Sequence, residues 1–115
     1  MSFKTSTGER LSKTTIDNRI RQAKATFKAL KESEGINYCE GCGTNQDRID
    51  CSHIVSVNDC QNDGMAEFAF DIRNLSFDCR SKCHPETERG TIEKHLNRDY
   101  KLEFIEFYND LKKSK

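Results

Sequence analysis

The 115-residue sequence lacks any long apolar run, and apolar residues make up only 34% of it. A membrane-spanning helix needs about 20 consecutive apolar residues, so the sequence predicts no membrane contact. The first residues, Met1–Lys4, also lack the apolar stretch of an export signal. We therefore expect one small domain in a reducing, cytoplasmic compartment, with a core too small to give much stability by burial alone.

The sequence also lacks net charge, because 19 Lys and Arg side chains balance 19 Asp and Glu side chains. The charges are unevenly spread: residues 1–35 carry eight basic and four acidic side chains, whereas residues 36–90 carry five and ten. This balance argues against strong non-specific binding of nucleic acid by the whole surface. One basic stretch could either contact phosphates or form an ordinary solvated helix face; it contains Arg19, Arg21, Lys24, Lys28 and Lys31.

Six cysteines are present, and without an export signal they are not expected to form disulfides. Four of them form two close pairs, Cys39-x2-Cys42 and Cys79-x3-Cys83. Two such pairs are typical of one tetrahedral zinc site, so we expect a structural Zn²⁺ as a cofactor. The remaining Cys51 and Cys60 are expected to be free thiols.

The N-terminal third predicts a mobile, polar lead-in at residues 1–13 and an amphipathic helix at residues 14–35. Thr14 or Thr15 is the expected cap, and Gly35 the expected end. The apolar positions recur at helical spacing: Ile16, Ile20, Ala23, Phe27 and Leu30.

The rest of a single domain spanning residues 14–115 divides into a core at residues 36–90 and a helix at residues 91–115. Within the core we expect a strand in 47–57, a turn-rich loop at 58–64, a strand or helical turn at 68–72, and a short helix beginning at Pro85. The final helix is predicted to bury an apolar face: Leu102, Phe104, Ile105, Phe107, Tyr108 and Leu111.

His53 and Asn74 lie between the two cysteine pairs, and His84 directly follows Cys83. This ordered set resembles the HNH endonucleases, in particular the zinc-bearing, phage-like members with a ββα-metal motif. The resemblance covers residues 39 to about 90, and residues 71–84 are its most specific part. It implies an α+β fold in which a ββα-metal core, stapled by a zinc site of four cysteines, is flanked by N-terminal and C-terminal helices.

The resemblance also implies a function, namely a small metal-dependent endonuclease that hydrolyses or nicks DNA in the cytoplasm of a host cell. His53 would be the general base that takes a proton from the attacking water. Asn74 would hold the loop that carries His53. His84 would bind a catalytic divalent cation, with Mg²⁺ or Mn²⁺ expected.

The sequence departs from the family at two positions. Many members have Asp or His directly before the base, but here that residue is Ser52, a poor metal ligand. Asp50 lies on the same face of a strand as Ser52 and could reach the cation instead. Glu88, one helical turn after His84, is a further candidate ligand. The second departure is the Cys-x3-Cys spacing, where Cys-x2-Cys is usual.

Each candidate residue has a simpler interpretation. His53 could be a structural histidine in a hairpin, His84 could merely follow a zinc ligand or replace Cys83, and Glu88 could be an ordinary acidic residue. His95 is expected to be a surface residue of a helix. The alternative function is a catalytically weakened zinc-binding module that binds nucleic acid or protein. A third is a subunit of a larger phage enzyme complex, forming a homodimer through its aromatic C-terminal helix.

Overall fold

Four α-helices and two small antiparallel sheets form the α+β fold in the computed structural model, which describes residues 1–115. The α+β class is therefore confirmed. None of the helices combines the length and the apolar character needed to cross a membrane.

The first sheet is a hairpin at the N-terminus, where strand β1 (Ser2–Lys4) pairs with strand β2 (Arg10–Ser12). Gly8 adopts a φ of 93° in the turn, a conformation that favours glycine. The Ser6 N–H donates to Glu67 Oε1 at 2.9 Å and so ties the hairpin to the rest of the chain. The prediction of an unstructured lead-in at residues 1–13 is corrected, because backbone pairing and this anchor order the segment.

Helix α1 (Lys13–Ser33) starts slightly earlier than predicted. Its cap is Ser12 rather than Thr14 or Thr15, because the Ser12 hydroxyl accepts a hydrogen bond from the Thr15 N–H at 3.1 Å. Of the predicted apolar stripe, Ile16, Ala23 and Phe27 are buried, whereas Leu30 is 45% exposed.

The second sheet pairs strand β3 (Ile49–His53) with strand β4 (Leu75–Cys79) in antiparallel register. The strand predicted within residues 47–57 is confirmed. Residues 68–72 do not form a strand. The alternative prediction of a helical turn is confirmed, because they belong to two short 3₁₀-helices, Ala66–Phe70 and Ile72–Asn74, that are separated by Asp71. The predicted loop at 58–64 is mostly helix α2 (Val57–Asn62), which begins because the Ser56 hydroxyl accepts from the Asp59 N–H at 3.0 Å.

Helix α3 (Cys83–Arg89) follows β4 and ends at Gly90, whose φ of 77° is the left-handed conformation common after a helix. Pro85 is its third residue rather than its first. Helix α1 packs on one face of the second sheet, where the rings of Phe27 and Phe77 meet edge to face with centroids 5.4 Å apart. Helix α3 lies on the other face, where Thr87 Oγ1 donates to Asp78 Oδ2 at 2.8 Å.

The last helix, α4 (Arg98–Lys113), is shorter than predicted and presents a different face to the core. Its buried residues are Lys101, Phe104 and Tyr108, whereas Leu102 and Phe107 are 41% and 40% exposed. Phe104 and Tyr108 pack against Phe68. The prediction of this apolar face is thus partly wrong. The buried side of α4 includes a lysine, which a pattern of apolar residues does not reveal.

Candidate active site

Four cysteines converge at one end of the second sheet. Cys39 and Cys42 lie before β3, Cys79 ends β4, and Cys83 begins α3. Their sulfur atoms all lie within 4.8 Å of one another, and those of Cys42 and Cys79 are 3.9 Å apart. Tetrahedral zinc with Zn–S distances of about 2.3 Å needs sulfur atoms roughly 3.8 Å apart. This cluster could therefore bind a metal such as zinc.

The backbone around the cysteines also suits a metal site. The N–H groups of Cys42 and Cys79 both point at Cys39 Sγ, at 3.4 and 3.2 Å, and the N–H of Cys83 points at Cys79 Sγ at 3.4 Å. Such donors stabilise thiolate charge. Gly41 allows the close approach, because a Cβ there would lie 2.8 Å from Cys83 Sγ. No disulfide is present, and Cys51 and Cys60 lie outside the cluster as free thiols.

A second group of possible ligands, formed by Cys83, Glu86 and His95, is not suited to a metal. The Lys101 ammonium donates a hydrogen bond to His95 Nδ1 at 2.8 Å, so in the neutral ring the other nitrogen carries the hydrogen and donates to Glu86 Oε1 at 2.9 Å. That nitrogen therefore has no lone pair for a cation. His95 itself is 6% exposed and precedes α4, which corrects the expectation of a surface helix residue.

His53 is the last residue of β3, and its ring orientation is fixed by the backbone. His53 Nε2 lies 2.8 Å from the carbonyl oxygen of Ala69. Because a carbonyl only accepts, Nε2 carries the hydrogen, and in the neutral ring Nδ1 keeps its lone pair. Burial lowers the pKa of His53 below its ordinary value of 6.5, although the hydrogen bond to Ala69 works in the opposite direction. The ring is thus neutral near pH 7 with one basic nitrogen free.

Asn74 forms hydrogen bonds with two segments close to His53. It is fully buried, accepts from the Val55 N–H at 2.7 Å, and donates to the carbonyl oxygens of Val55 and Phe68, both at 2.9 Å. Val55 is two residues after His53, and Phe68 is close to Ala69, which holds the His53 ring. One amide therefore fixes both segments that orient His53.

The imidazole of His84, the second residue of α3, lies between two carboxylates. Its Nδ1 is 3.0 Å from Asp50 Oδ2, and its Nε2 is 2.9 Å from Glu88 Oε1. A neutral imidazole has only one N–H, so it can donate to only one of them. If Nδ1 donates to Asp50, the lone pair of Nε2 faces the anionic Oε1 of Glu88. That arrangement is favourable only with a proton or a cation between Nε2 and Oε1.

Asp50 and Glu88 lie at opposite edges of the His84 ring, so the structure does not bring the three predicted ligands together around one point. Asp50 is also held by Arg80, with Nη2 to Oδ1 at 3.0 Å and Nε to Oδ2 at 3.1 Å. The hydrogen bond from Arg80 is the main reason that the pKa of Asp50 lies below its ordinary value. These contacts suit Asp50 to orienting His84, as carboxylates beside metal-bound histidines commonly do.

Ser52 faces α3 and is 1% exposed. Its hydroxyl donates to the carboxylate of Asp78, which also accepts from Ser76 and Thr87 at 2.8 Å each and from Lys101 Nζ at 2.9 Å. Ser52 thus belongs to a buried polar network and offers no free ligand. Burial alone would raise the pKa of Asp78, but the Ser52 hydroxyl and the Lys101 ammonium outweigh it, and the net shift is downward.

A groove of about 810 Å³ runs past His53, His84 and Glu88, and Asp50 does not line it. Its other walls come from β3, α2 and α4. Of the five basic residues predicted to bind nucleic acid, only Lys24 lines this groove. Arg19 stacks 5.3 Å from the Phe70 ring centroid, and Lys31 pairs with Glu40 at 3.1 Å. Arg21 and Lys28 are exposed on α1.

The sequence interpretation missed the buried pair formed by Lys101 and Asp78. The signal for Lys101 is its position, since it lies three and seven residues before Phe104 and Tyr108 and therefore on the same face of α4. It also missed Arg89, the last residue of α3, which lines the groove. Comparisons with protein-family models, curated proteins and solved structures give no match to this chain.

Proposed function

We propose that the protein is a small metal-dependent endonuclease of the HNH type, which cleaves phosphodiester bonds in DNA. The observation that carries the proposal is the geometry of His53, whose neutral ring has its Nε2 proton held by Ala69 and its Nδ1 free beside a groove. The chain order β3, β4, α3 and the cysteine cluster at one end of the sheet support the proposal, because the HNH resemblance implies two strands followed by a helix.

In this proposal His53 Nδ1 removes a proton from a water molecule in the groove. Its neutral state near pH 7 and its fixed orientation are the properties required of a general base. The hydrogen bond from Nε2 to Ala69 strengthens as the ring becomes positively charged, which stabilises the protonated product of that step. Asn74 keeps the ring aligned through Val55 and Phe68.

His84 Nε2 and Glu88 Oε1, 2.9 Å apart, are the pair that would hold the catalytic cation. Two ligands of an octahedral Mg²⁺ at about 2.1 Å lie roughly 3.0 Å apart, so their spacing fits. When bound, such a cation stabilises charge on the phosphate and the leaving oxygen. Asp50 accepts from Nδ1–H and thereby keeps the Nε2 lone pair directed at the groove. The four cysteines hold a separate, structural zinc.

The proposal is tested by nicking of supercoiled plasmid with Mg²⁺, with Mn²⁺ and with EDTA. We expect cation-dependent nicking, reduced about 10²–10⁴-fold in His53→Ala because the general base is removed. Asn109→Ala is the matched control, since Asn109 lines the far end of the same groove and is exposed. Circular dichroism and zinc content establish that each variant is folded. Equal rates for wild type and folded His53→Ala would rule out the base assigned here.

The pH dependence of nicking follows from the lowered pKa of His53. A base with a lowered pKa stays deprotonated to lower pH, so activity should persist through pH 6.5 and decline only below it. The measurement is the single-turnover nicking rate between pH 5 and 8 with saturating Mn²⁺. A half-maximal rate above pH 6.5 would contradict the assignment of a buried, neutral His53 as the base.

One observation favours a second candidate, the zinc-bearing binding module. Ser52 is committed to Asp78 and supplies no ligand at the position before His53. If folded, zinc-loaded protein binds DNA but does not nick it with any divalent cation, the binding module becomes the better assignment.

A further inference from the structure

The cations that line the groove are distributed unequally between its two ends. Its basic side chains are Lys24 on α1, Arg89 at the end of α3, and Lys112 on α4. Lys112 Nζ is paired with Asp63 Oδ1 at 3.4 Å, whereas Lys24 and Arg89 form no ion pair. The end of the groove next to His53 and His84 therefore has two cations without a direct ion-pair partner against one carboxylate, that of Glu88, and its net charge is positive.

The other end of the groove, between α2 and α4, is acidic. Asp59 and Asp63 line it, and Asp63 also accepts from the Tyr108 hydroxyl at 2.7 Å. With Lys112 already neutralised, this end repels a phosphate backbone. A polyanion can therefore occupy the His53 end of the groove but is disfavoured along its full length.

Lys24 also borders a second groove, of about 390 Å³, which lies between α1 and the second sheet and includes Lys28. Lys28, one helical turn after Lys24, likewise forms no ion pair. The ammonium of Lys24 is close enough to His53 to contribute to lowering its pKa. Positive charge thus continues from the second groove to the edge of the candidate site, and Arg89 lies on the α3 side.

We propose that a DNA strand crosses the groove at its His53 end, with Lys28 and Lys24 binding phosphates on one side of the scissile bond and Arg89 binding a phosphate on the other. This inference rests on the proposed endonuclease function and adds the path of the substrate. Lys24, Lys28 and Arg89 are positioning residues, because they bind neighbouring phosphates rather than the reacting one. The acidic end of the groove keeps the strand from lying along α4.

The proposed path of the DNA strand is tested by measuring DNA binding under conditions in which the strand is not cleaved. Fluorescence anisotropy of a labelled duplex oligonucleotide, with no Mg²⁺ or Mn²⁺ added, would be recorded for wild type, Lys24→Gln, Arg89→Gln and their double variant across a salt series. Each lost phosphate contact should lower the slope of log affinity against log salt concentration by about 0.9, and the double variant by twice that amount. Lys112→Gln is the matched control: it removes the same charge from the same groove and should bind as wild type does.

Two outcomes would overturn the path: unchanged binding and salt slope in the double variant, or an equal loss in Lys112→Gln, which would indicate only a general charge effect. Hydrolysis of bis(p-nitrophenyl) phosphate separates this inference from the proposed function, since that ester has no neighbouring phosphates. We expect wild type and Lys112→Gln to hydrolyse it at similar rates and His53→Ala not to. If wild type does not cleave either the ester or plasmid, the endonuclease proposal fails while the anisotropy result still decides the binding path.

Discussion

With the proposed zinc at the four cysteines, a strong chelator is expected to abolish the cooperative thermal unfolding of the protein. Cys39, Cys79 and Cys83 are buried and, with Ile49 packed against them, form their own small cluster at the end of the second sheet. Structural zinc supplies about 10–16 kcal/mol in zinc-finger peptides, comparable with the 5–15 kcal/mol of total stability typical of a domain.

The measurement is a circular dichroism melt with and without chelator, together with zinc content and recovery after zinc is added back. Cys79→Ser should reproduce the effect of the chelator. Cys51→Ser is the matched control, because burial raises the pKa of Cys51 to about 11, so it is a neutral thiol outside the cluster. A metal-free protein with an unchanged melt would show that the cysteines do not stabilise the fold through zinc.

Asp78→Ala is expected to destabilise the zinc-loaded protein by about 3–5 kcal/mol, because it leaves the ammonium of Lys101 buried without its counter-charge. Both side chains are fully buried, and Lys101 Nζ lies 2.9 Å from Asp78 Oδ1. Three hydroxyl groups that donate to Asp78 would also lose their acceptor, namely those of Ser52, Ser76 and Thr87. For a domain of this size the change lowers the melting temperature by on the order of 10–20 °C.

The double variant Asp78→Ala/Lys101→Met separates the ion pair from the loss of packing. Removing both charges together costs less than leaving either one unpaired, so the double variant should be more stable than Asp78→Ala alone. Urea unfolding of the wild type, the two single variants and the double variant gives the coupling energy. Additive losses would mean that Lys101 and Asp78 act independently despite their contact.

Much of the candidate site could be predicted from the sequence because its residues lie close to strong local signals. The paired spacing of Cys39 with Cys42 and of Cys79 with Cys83 defines the cluster, and the period of a helix places Glu88 beside His84. The position of Asp50 relative to Ser52 follows from strand alternation, and its bond to His84 agrees with that. The hydrogen bonds between Asp50 and Arg80, and the position of Asp50 outside the groove, did not follow from the sequence, because both are set by the tertiary fold.

The errors occurred where side chains overrode local preferences. Of the two alternatives predicted for residues 68–72, the strand is wrong and the helical turn is confirmed; the Asn74 amide donates to the Phe68 carbonyl within that turn. Lys101 and His95 have polar side chains that an apolar pattern assigns to the surface. Their burial depends on Asp78 and Glu86, which are separated from them along the chain. Such pairings cannot be deduced from periodicity alone.

The hydrogen bonds of Asn74 also bear on where this chain could accept inserted residues. Its amide joins Val55 to Phe68 and so closes the connection between β3 and β4 as a loop with fixed ends. The entropic cost of closing a loop rises only slowly with the number of residues in the loop. Extra residues inserted near Asp63 and Gly64, where α2 ends, would therefore lengthen the connection without displacing His53. The end of α2, between the buried Cys60 and Met65, is thus the place in this segment where new sequence, such as a DNA-reading element or an epitope tag, could be inserted.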